Sequence, residues 1–204
     1  MDISFLVKKA KDRDITAFSE LYSIYSEDMY RFALYMLNSK EDAEDAVQET
    51  VITAFKSIGN LRDDTLFKSW LFKILSNQCK SQLKKNKKNP DLLPEDDYIF
   101  LIEDESVQSS FNSIELIEAL KSLTPPDAQI ILLSIIGGFK SEELSKIYNL
   151  SPSTIRSKQK RALEKCSLII LKISTTTKAS PRSFYLFTFY GDMLQSREPK
   201  HQKS

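Results

Sequence analysis

Glycine is scarce, with four residues in a chain of 204. An all-β protein built on tight turns needs many positive-φ positions, so this scarcity points toward helices. Histidine is scarcer still, a single residue at His201. A helical carboxylate metal centre built on the acids near 41–49 would want several histidines, and no metal or other cofactor is expected. The two cysteines, Cys79 and Cys166, stand far apart among apolar neighbours at helical spacing. They read as small buried hydrophobes in a reducing compartment rather than a bridge or a metal pair. The longest apolar run, "IILLSII", is far too short to cross a bilayer. The opening "MDISFLVKKAKDRD" lacks the long apolar segment of a signal peptide. A cytoplasmic location is expected.

What is present is enough apolar material for a core, 41% of the chain, and a strongly segregated charge. The formal net charge is only +1, but the average hides two blocks. Lys68, Lys73, Lys80, Lys84, Lys85, Lys87 and Lys88 run with no acid between them. Directly after come Asp91, Glu95, Asp96, Asp97, Glu103, Asp104 and Glu105 with no base between them. The pattern predicts a basic surface followed by an acidic tether.

Periodicity predicts a long amphipathic helix over 15–37, with Phe18, Leu21, Tyr25, Met29 and Phe32 on its apolar side. "NSKED" is a turn, and Ser39 with Asp42 forms a capping-box pattern that starts a second helix. Its buried stripe is Ala43, Ala46, Val47, Val51, Ala54 and Ile58, and Gly59 and Asn60 are expected to end it in left-handed conformation. After "NLRDDT" a third helix carries Phe67, Trp70, Leu71, Ile74 and Leu75 on one side and Lys73, Asn77, Lys80, Ser81 and Lys84 on another. Residues 87–112, with Pro90 and Pro94, read as a linker. Helical spacing resumes near Ser113. Thr124-Pro125 starts a further helix, which "GGF" stops. The expected architecture is all-α: two small helical domains joined by a flexible acidic linker.

The second domain holds the most specific stretch, "SEELSKIYNLSPSTIRSKQKRALEKC". Ser141 is expected to cap a short helix, Asn149 to take a left-handed turn, and Ser151-Pro152 to open a second helix packed through Ile155, Ala162, Leu163 and Cys166. Short helix, tight turn and capped helix make a helix-turn-helix. The other side of its second helix offers Ser153, Thr154, Arg156, Ser157, Lys158, Lys160 and Arg161. Arginine grips guanine bidentately, hydroxyls reach bases or phosphates, and lysines hold phosphates. A merely solvated helical hairpin is the competing reading.

The basic helix also suits nucleic acid, because phosphates can replace counterions along its continuous lysine side. The loop before it presents Asn60, Arg62, Asp63, Asp64 and Thr65, short groups suited to the edge of an unstacked base. Trp70 could stack on such a base, but its helical spacing favours a core position.

Three stretches in order, "DAEDAVQETVITAFKSI", "FKSWLFKILSNQCKSQLKK" and "GFKSEELSKIYNLSPSTIRSKQKRALEKC", resemble the successive signatures of extracytoplasmic-function sigma factors of bacterial RNA polymerase. The resemblance covers roughly residues 10–170. It implies a polymerase-binding and promoter-melting domain at 10–89, a linker at 90–112, a −35 recognition domain at 113–173 and a tail of unknown role at 174–204. It implies that Asp45, Gln48 and Glu49 pair with the clamp helices of the largest polymerase subunit. It implies capture of a flipped −10 base by Asn60, Leu61, Arg62 and Asp63, with Trp70, Lys73, Asn77, Lys80 and Lys84 alongside. Arg156, Ser157, Lys160 and Arg161 match the −35 recognition helix. The implied partners are core polymerase, promoter DNA and an anti-sigma factor, with no small-molecule substrate and no catalysis by the chain itself.

The sequence departs from the family in places. Lys68 and Lys73 stand where arginines are usual, which keeps phosphate binding but weakens bidentate contact. Ser145 replaces an alanine and Asn149 a glycine. The aromatic run Phe184 to Tyr190 has no family counterpart. The rival reading is a helix-turn-helix regulator that binds duplex DNA without melting it.

Overall fold

The computed structural model describes residues 2–88 and 119–177, and among these no strand occurs. The acidic linker and the aromatic run at 184–190 lie outside the described residues. The first domain begins with α1 (Ile3–Lys11), which the sequence reading missed. Asp2 caps it by accepting from the backbone of Ser4 at 2.9 Å, and Leu6, Val7 and Ala10 are buried against the domain. Its end turns through Arg13, whose φ of 67° is left-handed.

Helix α2 (Ile15–Leu37) matches the expected span. Asp14 caps it by accepting from Ala17 N at 3.1 Å, and Asn38 stops it in left-handed conformation with φ 53°. Helix α3 (Lys40–Ser57) starts where the capping pattern placed it, with Ser39 Oγ accepting from Asp42 N at 3.2 Å. Its end departs from expectation. The chain tightens into a 3-10 turn, Ile58–Asn60, and neither Gly59 nor Asn60 has positive φ. The buried Ile58 and Leu61 hold the chain down here, joined by a Leu61 N to Ile58 O hydrogen bond of 3.0 Å. A second 3-10 turn, Asp64–Leu66, leads into α4 (Phe67–Lys88).

Leu21, Met29, Phe32, Ala43, Ala54, Phe67, Phe72 and Leu75 fill the space between α2, α3 and α4. Each large side chain removed from water in this way contributes about 1.5–3 kcal/mol before entropy is counted. Phe32 and Phe72 meet edge to face with centroids 6.3 Å apart.

The second domain contains α5 (Pro125–Ile135), α6 (Ser141–Tyr148) and α7 (Pro152–Thr177). Proline opens α5 as expected. Gly138, with φ 60°, makes the turn that follows it. The adjacent Gly137 is required for space, because a Cβ there would lie 2.5 Å from the Phe139 ring. Ser141 does not cap α6. Lys140 holds the cap position, and the Glu143 carboxylate accepts from its backbone N–H at 2.8 Å. The Ser141 hydroxyl instead donates to Gln159 Oε1 at 3.0 Å. Asn149 takes the left-handed turn, φ 54°, and Ser151 Oγ accepts from Thr154 N at 3.1 Å to start α7. Leu144, Ile147, Ile155, Ala162, Leu163, Cys166 and Ile170 are buried.

Gln159 is buried as well, with its Nε2 donating to Ser134 Oγ at 2.7 Å. One amide thus ties α7 to both α5 and α6, and fixes how far the exposed side of α7 projects. Burial pushes both thiols up to about 12, so Cys79 and Cys166 stay protonated and inert.

Candidate nucleic-acid interface

Helix α3 divides sharply between its two sides. Ala43, Ala46, Val47, Thr50 and Ala54 face the core, where Thr50 Oγ1 satisfies itself on Ala46 O at 2.7 Å. Asp45, Gln48 and Glu49 are exposed together on the outer side. They form one wall of a concavity of about 300 Å³ whose other wall is Gln78, Ser81 and Lys85 of α4. Gln82 Nε2 donates to Asp42 Oδ1 at 2.9 Å and holds the two helices together at its edge. This outer ridge is acidic and amide-bearing, suited to arginines and lysines from another molecule.

The loop between α3 and α4 is pinned at two points. Leu61 is buried, and Asp64 accepts from the Lys11 ammonium of α1. Between and around these anchors, Asn60, Arg62, Asp63 and Thr65 are exposed. Asp63 Oδ1 accepts from both the hydroxyl and the backbone N–H of Thr65, at 2.6 and 3.0 Å. Those hydrogen bonds hold its carboxyl below the usual range, helped by the charges of Lys146 and Lys11. A loop shaped before binding loses less entropy when it takes a ligand. Lys11 is the contributor that sequence reasoning missed. Its signal was the helical spacing of Leu6, Val7 and Ala10 behind a capping aspartate.

On α4, Lys73, Asn77 and Lys84 are exposed along one stripe. Trp70 is half-buried and tilted against Phe67, with centroids 5.9 Å apart, so it is partly core and partly open. Lys80 departs from the others. It is half-buried, and its ammonium lies 5.4 Å from the Tyr148 ring centroid. Burial and then the neighbouring Lys84 charge lower its pKa.

On α7, Ser153, Thr154, Arg156, Ser157, Lys160 and Arg161 are exposed, side by side with the helix start. Arg156 Nη1 reaches Glu142 Oε1 at 3.3 Å, an exposed pair that a base or phosphate can displace. Lys158 is half-buried and its ammonium holds Asp127 Oδ1 at 2.9 Å, which braces α7 on α5. No cluster of metal-ligating side chains occurs among the described residues. No helix among them is long and apolar enough to cross a membrane.

Two family models match in order: Sigma-70 region 2 over residues 21–89 and Sigma-70, region 4 over residues 113–166. This arrangement defines a sigma-70-type transcription initiation factor. The ECF RNA polymerase sigma factor SigM of Bacillus subtilis (strain 168) is 31% identical over 150 residues, spanning 72% of this chain and 90% of that protein. The RNA polymerase sigma factor SigV of the same organism is 29% identical over 147 residues, 69% of this chain and 82% of that protein. Among solved structures, CnrH in complex with the cytosolic domain of CnrY superposes with a TM-score of 0.66 at 20% identity, covering 82% of this chain and 96% of that one. The sigma factor RpoE in complex with the anti-sigma factor NepR from Bartonella quintana superposes with a TM-score of 0.61 at 22% identity, covering 76% and 98%. The chain belongs to the extracytoplasmic-function sigma factors of bacterial RNA polymerase. A member of this family directs core polymerase to promoters and starts DNA-templated transcription without itself being an enzyme.

Proposed function

We propose that the chain divides this task among three surfaces. Asp45, Gln48 and Glu49 of α3 attach it to the clamp helices of the largest polymerase subunit. Asn60, Arg62 and Asp63 capture a base of the melted −10 strand, with the buried Leu61 anchoring the loop behind them rather than touching the base, while Trp70, Lys73, Asn77, Lys80 and Lys84 hold the strand beside it. Ser153, Thr154, Arg156, Ser157, Lys158, Lys160 and Arg161 meet the −35 duplex, with Lys158 contributing mainly by bracing α7. The observation that carries this reading is the ridge on α3, where three polar side chains are exposed together on a helix whose opposite side is fully buried.

Initiation is staged. The −35 helix binds duplex through phosphates and base edges. Capture of one unstacked base then offsets the few kcal/mol that opening the first step costs. The functional division runs 10–89 for polymerase and −10 contacts, 90–112 as tether and 113–173 for −35 contacts. The acids of the tether imitate nucleic-acid charge in the enzyme's exit path. An anti-sigma factor holds the free chain inactive, by analogy with the RpoE–NepR complex. The site of action is the cytoplasm, where polymerase and promoter meet.

The test mixes the purified chain with core polymerase and a random promoter library, then sequences the transcript start regions. A shared pair of −35 and −10 elements is the expected result. Co-elution failure, or transcripts without any common upstream element, would refute it. Duplex binding with no strand opening would favour the simple helix-turn-helix regulator.

A further inference from the structure

The outer side of α7 changes character along the helix. Ser157, Arg161 and Glu164 are exposed along one stripe, and Leu168 and Leu171 continue it at three- and four-residue steps. Leu168 is 60% exposed and Leu171 48%, while Cys166 and Ile170 on the other side of the helix are buried. Two neighbouring leucines thus form an apolar ledge that their own domain leaves open. The sequence holds a second apolar element that the proposed function does not use. The run Phe184 to Tyr190, "FYLFTFY", contains no charge, proline or glycine. Uncharged, aromatic, β-prone segments of this length pair with copies of themselves when nothing covers them.

We propose that the aromatic run folds back onto the Leu168–Leu171 ledge of its own chain, so that each apolar element covers the other. The contact hides a segment prone to self-association and steadies the half of α7 that its domain leaves open.

Three observations carry it. Among the exposed large apolar side chains, Leu168 and Leu171 stand nearest in sequence to the run. The reach also suffices. Helix α7 ends at Thr177, and the ledge lies about 9–14 Å back along its axis at about 1.5 Å per residue. The seven residues from Thr177 to Phe184 span up to about 23 Å. Pro181 between them disfavours continuing the helix away from the ledge. Finally, a tethered segment meets its own chain at an effective concentration on the order of millimolar, so the internal contact forms ahead of association between copies.

The experiment uses the full chain and the double variant Leu168→Ser with Leu171→Ser. Both side chains are exposed, so helix content by circular dichroism should hold. Chymotrypsin cleaves beside Phe, Tyr and Leu and therefore reads the exposure of the run directly. Cleavage within 184–190 should be about tenfold faster in the variant, since proteolysis follows the population of the open form. Ile15→Ser removes an apolar side chain on α2 that is 68% exposed, and it should leave this cleavage unchanged. Equal cleavage of the double variant and the native chain would overturn the proposal, as would equal acceleration by Ile15→Ser. A photo-crosslinking substitution, Leu168→benzoylphenylalanine, supplies a second readout. In a mixture of isotopically heavy and light chains, it should join position 168 to residues 184–190 within single chains. Crosslinks between heavy and light chains would assign the ledge to a second copy instead. Crosslinks only to other segments, or none, would likewise overturn the internal contact.

Discussion

The acidic ridge of α3 and part of the basic surfaces of α4 and α7 treat their charges differently. Asp45, Gln48 and Glu49 are exposed with no internal partner among the described residues. Arg156, Lys158, Lys68 and Lys80 all have one: a carboxylate, a carbonyl or a ring. The ridge is set on a helix whose other side is buried, which suits the proposed attachment to polymerase. Lys68, Lys80 and Arg156 rest on internal contacts that a phosphate can replace, whereas Lys73, Lys84 and Lys160 are simply exposed. Under the proposed assignment, a ridge that meets one fixed protein surface needs no substitute, whereas groups that would meet DNA only at a promoter spend most of their time without it.

The comparison breaks most severely at the ridge. Replacing Asp45, Gln48 and Glu49 together with alanine should abolish co-elution with core polymerase, a loss of about a hundredfold or more given the 2–5 kcal/mol typical of truncated interfacial charge pairs. Helix content by circular dichroism should not change, since none of the three is buried. Retained binding would detach the ridge from the polymerase.

Gln159 is next, because it sets the geometry from which the α7 side chains project. Gln159→Ala removes the amide's bonds to Ser134, which keeps its own bond to Ile130 O, and to Ser141, and should cost about 1–3 kcal/mol in a denaturant titration. Binding of −35 duplex should weaken with it. If stability fell but duplex affinity did not, the positioning role would be wrong.

Arg156→Ala probes base contact directly. A bidentate arginine accounts for about 1–3 kcal/mol of discrimination, so promoter selection from a library should relax at one −35 position while the others hold. An unaltered selection profile would remove Arg156 from the readout set.

Smaller effects are expected where internal pairs merely brace. Lys11→Ala should cost about 0.5–1 kcal/mol of stability or less, but it should lower selectivity at the captured −10 base several-fold, and Lys11→Arg should restore it. A uniform loss at all positions would argue against a role for α1 in shaping the loop.

Smallest is the pH response of Asp127. Burial raises its pKa, but the hydrogen bonds from Lys158 and Thr124 outweigh that and leave it lowered. A carboxyl with a lower pKa folded than unfolded stabilises fully above about pH 4 and loses that contribution as pH falls through the folded value. Asp127→Asn should therefore flatten the acid limb of a stability–pH curve. A limb of identical slope in the variant would count against it.

Helix positions were largely legible in the sequence because local chemistry decides them. Ser39, Asn149 and Ser151 act as caps or turn residues through their own backbone neighbours, and the α2 span followed from apolar spacing alone. The failures share a cause. Gly59 and Asn60 were expected to break α3 because both tolerate left-handed backbone, yet the burial of Ile58 and Leu61 drew the chain into a 3-10 turn. Ser141 was expected to cap α6, but Gln159, far along the sequence, claimed its hydroxyl. In each case a distant packing demand overrode a local preference.

Most helix spans, the caps at Ser39 and Ser151, the helix-turn-helix and the segregation of charge were determined by the sequence itself, since each depends on residues within a turn or two of one another. Only the tertiary structure decided which charges remain unpartnered. Whether Lys80 faces solvent or Tyr148, and whether Asp64 is free or held by Lys11, depend on surfaces brought together across the chain. Spacing places a side chain on one face of a helix, and folding determines what that face meets.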